Sequence, residues 1–87
     1  MTQEEQMIHL GNAAEETLKN EAFVAIVNQV ISNSFNTFVG TEPGDTDART
    51  AAYYQHKAIR EIIDTMQQHV SVRDEINGRN KETPEEE

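Results

Sequence analysis

The side chains best suited to chemistry in this sequence are His9, His56 and His69, with Ser32, Ser34, Ser71 and the adjacent Tyr53 and Tyr54. Imidazole moves protons near neutral pH or holds a metal. On one helix, His56 and His69 stand about 20 Å apart, too far to share an ion within one chain. Neither has a second ligand in the His-Glu-x-x-His arrangement, and no glycine-rich phosphate loop is present. There is no cysteine nucleophile, and no serine has a histidine at a spacing that would pair the two on one helix. Glu15-Glu16 and Glu85-Glu86-Glu87 read as solvated acidic faces. The expectation is a protein without catalytic residues, cofactor or metal. His56 then reads as a hydrogen-bonded core or interface residue. The sharper alternative is a proton-sensitive contact, because a charged imidazole in an apolar seam opposes association.

Size limits what can hold such side chains in place. Eighty-seven residues make one domain, and 36% hydrophobic content with no Trp gives it a small core. Chains this short are usually reinforced by disulfides, a metal or a partner subunit. The sequence has no Cys, which excludes disulfides and cysteine-zinc sites and leaves oligomerisation. Sixteen acidic residues against seven Lys and Arg give a formal charge of −9, which repels a phosphate backbone and argues against nucleic acid. The absence of a membrane-length apolar run predicts no spanning segment, and the acidic start, Met1-Thr2-Gln3-Glu4-Glu5, lacks the basic region of a signal peptide.

The spacing of apolar residues predicts an all-α chain of three helices over residues 3–18, 21–39 and 46–77. Met7, Leu10, Ala14 and Leu18 form a narrow stripe on the first, with a break or fraying expected near Gly11. Asn20 reads as the N-cap of the second helix. Its apolar face runs Phe23, Val27, Val30, Ser34 and Phe38, widened by Val24, Ile26, Ile31 and Phe35 beyond what one neighbour would cover. Gly40 is expected as the C′ residue, Pro43-Gly44 as the centre of a type II turn, and Asp45 or Thr46 as the next cap. Arg49 can pair with Asp45, and Arg60 with Asp64, each four residues apart. Along the third helix Ala52, His56, Ile59, Ile63, Met66 and Val70 alternate spacings of four and three, a heptad seam flanked by Tyr53 and Ile62. Gly78 is expected to end it, leaving residues 79–87 as a disordered acidic tail.

A short loop predicts an antiparallel hairpin of the second and third helices. The third, nearly 50 Å long at 1.5 Å per residue, would overhang the second by several turns. Ile63, Met66, Val70 and Ile76 then await a cover, supplied either by the first helix or by another chain. Tyr53 reads as packed, and Tyr54 as available to a partner.

From Asn20 to about Ile76 the sequence resembles a family of small tailed-bacteriophage proteins encoded among head and morphogenesis genes. The resemblance rests on Asn20-Glu21-Ala22-Phe23, on Phe35 and Phe38 near the helix end, and on Thr41-Glu42-Pro43-Gly44-Asp45-Thr46. Arg49, Tyr53, His56 and Ile59 follow at the family's spacing. Members often carry Trp where this chain has Phe38. The resemblance implies a helical hairpin and a phage setting, and brings no catalytic residues with it.

The expected function is therefore protein–protein interaction in a phage particle or its assembly, in the virion or the host cytoplasm. The chain would form a homo-oligomer, dock on a larger phage structural protein, or both. The expected interface is Tyr54, Ile59, Ile63, Met66, Val70, Ile76, Phe35 and Phe38. The alternative is an acidic inhibitor, a nucleic-acid mimic or anti-defence protein acting on a host nuclease or regulator. Such a mimic needs its carboxylates in rows, whereas here Arg49, Lys57, Arg60 and Arg73 interrupt them.

Overall fold

The computed structural model describes residues 1–82, which form three α-helices and no strand: α1 (Gln3–Leu18), α2 (Glu21–Val39) and α3 (Thr46–Glu82). The chain divides into two compact units. One combines α1 with α3 from Asp64 onward, and the other combines α2 with α3 up to Ile63.

In the first unit, α1 starts at a capping box. The Thr2 hydroxyl accepts from the Glu5 amide at 3.0 Å, and the Glu5 carboxylate accepts from the Thr2 amide at 2.8 Å. The Thr2 amide first, and its hydroxyl second, hold the Glu5 carboxyl below its ordinary pKa. Gly11 does not break the helix. It is buried, and a Cβ placed there would lie 2.7 Å from the His69 carbonyl oxygen and closer still to Cβ of Arg73. The glycine therefore lets the backbone of α1 approach α3, and this contact outweighs its poor helix propensity. The buried side of α1 is Gly11 and Ala14, flanked by half-buried Ile8 and Leu18, while Leu10 of the expected stripe is half exposed.

Arg73 ties this unit together. Its guanidinium donates to Asn12 Oδ1 at 3.0 Å and to Asp74 Oδ1 at 2.7 Å, and it pairs with Glu15. Its pKa is raised by Asp74 first and Glu15 second. Glu15 also accepts from Lys19 at 2.7 Å, and Lys19 and then Arg73 lower its pKa. Arg79 approaches Glu4 at 3.8 Å. Ile76, expected as an interface residue covered either by the first helix or by another chain, is 2% exposed, the most deeply covered hydrophobic side chain of the described residues.

In the second unit the seam of α3 faces inward. Ala52 is buried, and His56, Ile59 and Ile63 are half-buried. Opposite them, α2 covers Val27 and Ser34. The Ser34 hydroxyl is 1% exposed and donates to the Val30 carbonyl at 2.9 Å, which satisfies a buried polar group within its own helix.

The loop differs from its expected form in three places. Gly40 has no positive φ, so the helix does not end in the left-handed conformation. Instead the Phe38 carbonyl accepts from both the amide and the hydroxyl of Thr41, at 3.2 and 2.7 Å. Gly44 also lacks a positive φ, which a type II turn requires. The Asp45 amide donates to the Glu42 carbonyl at 2.9 Å across Pro43-Gly44, as in a type I turn. Asp45 is the cap, its carboxylate accepting from the Ala48 amide at 3.1 Å. The Arg49 guanidinium is not on Asp45 but lies 4.6 Å from the centre of the Phe38 ring.

Gly78 does not end α3, which continues through it to Glu82. Residues 79–82 of the expected tail are thus helical, and the remainder, residues 83–87, lies outside the described residues. Among the described residues no ion pair joins Arg60 to Asp64.

Candidate functional site

A groove runs along one side of the α2/α3 unit. Its floor consists of two small side chains, Ser34 and Ala52, and its walls are Phe35, Phe38, Tyr53 and His56. Small residues on facing helices draw the floor inwards, while the aromatic rings on either side stand up as walls. The cavity has a volume of about 200 Å³, room for one or two large side chains and too little for a drug-sized ligand. A second, shallower hollow shares Phe38 and Tyr53 and extends past Arg49 and Thr50 to Pro43 of the loop. Side by side, the two hollows form a furrow that reaches from the loop to His56.

The rings are accessible. Phe35 is 62% exposed and Tyr54 59%. Tyr53, expected to be packed, is 52% exposed and meets Tyr54 edge-on with ring centres 5.5 Å apart. Phe38 is half-buried under the Arg49 guanidinium.

The furrow has a polarity that the net charge conceals. Arg49, Tyr53, His56 and Arg60 follow one another at spacings of four, three and four, one stripe of α3, with Lys57 beside it. Asp47, Tyr54 and Glu61 recur every seven residues on a different side of the helix. Arg49 and Arg60 therefore share a stripe of this half of α3 that holds neither Asp47 nor Glu61, while Lys57 stands one turn before Glu61 and Arg60 one turn before Asp64. None of Arg49, Lys57 and Arg60 makes an ion pair among the described residues, whereas Lys19, Arg73 and Arg79 of the other unit each meet a carboxylate.

The expected interface residues divide between the two units. Phe35, Phe38 and Tyr54 belong to the furrow or its rim, whereas Ile59 and Ile63 are half-buried on the inner seam of the same unit. Met66 and Val70 are half-buried in the α1 unit, and Ile76 is closed off there. Sequence reading missed Tyr53 as a wall, the small floor, and the clustering of the bases. Ser34 and Ala52 within otherwise bulky stripes were the available signal.

Among the described residues no group of three or more His, Asp or Glu side chains could hold a metal ion, and no helix is long and apolar enough to cross a membrane. Comparison with known proteins adds no relative: no family model, curated protein or solved structure matches the chain.

Proposed function

We propose that this chain acts by binding protein rather than by catalysis, as a small bacteriophage virion or assembly-associated protein that self-associates or docks on a larger structural protein. The observation that carries the reading is the apolar surface left open on the α2/α3 unit. Ile26, Phe35, Val39, Tyr53, Tyr54 and Ile62 are all between 49% and 63% exposed. Exposed apolar residues scattered singly are ordinary, but Phe35, Tyr53 and Tyr54 of this set line the furrow with Phe38 and Arg49, and an aromatic-rich patch with an arginine at its rim is the composition of an interface. The phage setting rests on the resemblance carried by Asn20–Phe23 and the Thr41–Thr46 turn.

The test is light scattering on the full chain across a dilution series, beside the Phe35→Asp/Ile62→Asp double variant, with thermal unfolding followed by circular dichroism. A mass above one chain that falls on dilution, and is lost in a variant that melts normally, supports self-association. Substitutions at the half-buried Ile63 or Met66 would test the fold instead. If the wild-type chain is a monomer throughout and the variant melts early, the exposed residues serve the fold and the reading fails.

A further inference from the structure

Building on that reading, we propose that the furrow of the α2/α3 unit is a docking site for an acidic amphipathic helix of a partner protein. One or two large apolar side chains of that helix would seat on Ser34 and Ala52, and its carboxylates would meet Arg49, Lys57 and Arg60. The shape sets the first requirement. A narrow apolar trough walled by aromatic rings accepts side chains presented at helical spacing, one turn apart, as in helix-in-groove recognition. The hollow extending to Pro43 gives the trough the length of more than one turn.

Charge sets the second requirement. In a chain of sixteen acids and seven bases, chance pairing should neutralise most cations, as it does for Lys19, Arg73 and Arg79. Among the described residues no ion pair is formed by Arg49, which lines the trough, or by Lys57 and Arg60, which follow it on α3. Rim charges of this kind choose the partner and speed its encounter more than they add affinity. Arg49 already sits over Phe38, so a partner carboxylate could reach it without disturbing the wall.

The same charge, with the apolar trough, argues against two other occupants. A second copy meeting this face with its own would bring a basic row towards a basic row, because Glu21 is the one carboxylate on α2. Nucleic acid would meet the bases too, but its phosphates have no use for an apolar trough walled by aromatic rings, which seats large apolar side chains.

The experiment uses the full chain, isotope-labelled, and two synthetic 16-residue helical peptides. Both carry Leu and Phe on one face. One has Glu on the flanks and the other Lys. We expect the Glu peptide to bind roughly tenfold tighter, the sum of a few rim pairs. Amide shifts should be confined to the surroundings of Phe35, Phe38, Tyr53 and His56. The Arg49→Glu/Lys57→Glu/Arg60→Glu variant, shown folded by circular dichroism, should reverse the preference. Equal binding of the two peptides, or shifts mapping elsewhere, overturns the acidic-helix proposal. Concentration-dependent shifts of the same furrow residues in the free chain would assign the site to a second copy, which overturns this proposal while leaving protein binding intact. If neither peptide nor self-association moves the furrow residues, both readings fall together.

Discussion

Two glycines on helices of this chain meet opposite surroundings, and substitution should separate them. At Gly11 a Cβ would meet the backbone carbonyl of His69, which cannot swing aside as a side chain can. Gly11→Ala should therefore destabilise the chain by roughly 1–3 kcal/mol through overpacking, despite the better helix propensity of alanine. At Gly78 nothing lies within 4 Å of the added Cβ, and the helix continues through it. Gly78→Ala should stabilise the helix by up to about 1 kcal/mol. Urea unfolding of both variants checks the pair, and changes of like sign would refute the assigned roles. Both positions were misread from sequence for one reason. Propensity marks glycine as a breaker, but whether it breaks a helix or admits a neighbour depends on what packs there. The Thr2–Glu5 capping box has a signal in the Thr-x-x-Glu spacing, but sequence reading passed over it. The conformations of Gly40 and Gly44 were not legible, because Thr41 and Asp45 supply the hydrogen bonds that left-handed glycines would otherwise have organised.

Among the elements, α1 joins a small apolar contact to a set of polar bonds. Its buried residues are the small Gly11 and Ala14, and its links to α3 run through Arg73 to Glu15 and Asn12. Glu15 and Glu5 have lowered pKa values, the first from Lys19 and Arg73, the second from Thr2. A carboxyl whose folded pKa lies below its unfolded value contributes stability that is present above the unfolded pKa and is lost as pH falls through the folded one. Below about pH 4.5, α1 amides should accordingly lose exchange protection before those of α2 do. Arg73→Ala should produce the same early loss at neutral pH. Hydrogen exchange read by mass spectrometry decides it, and synchronous loss in α1 and α2 would mean that these bonds do not govern α1. The limits of α1 followed from apolar spacing, and those of α2 from that spacing with Asn20 and Gly40 at its ends. What spacing could not give was the choice between α1 and another chain as the cover for Ile76, since that depends on the close approach allowed by Gly11.

For the molecule as a whole, two kinds of association are in play, and ionic strength should move them in opposite directions. Chains of net −9 repel one another, so self-association through apolar residues such as Ile26 and Ile62 works against that repulsion. Raising salt from about 0.01 M to 0.15 M shortens the screening length from about 30 Å to about 8 Å and relieves it. The association constant for self-association should rise. Docking of an acidic helix beside Arg49, Lys57 and Arg60 draws on attraction between exposed charges, and the same salt should weaken it. Light scattering and peptide titration at both salt concentrations provide the comparison. Opposite slopes would separate a self-associating surface from a partner-binding one on the same small unit. A peptide affinity indifferent to salt would mean that Arg49, Lys57 and Arg60 take no part in recognition and that the trough acts through shape alone.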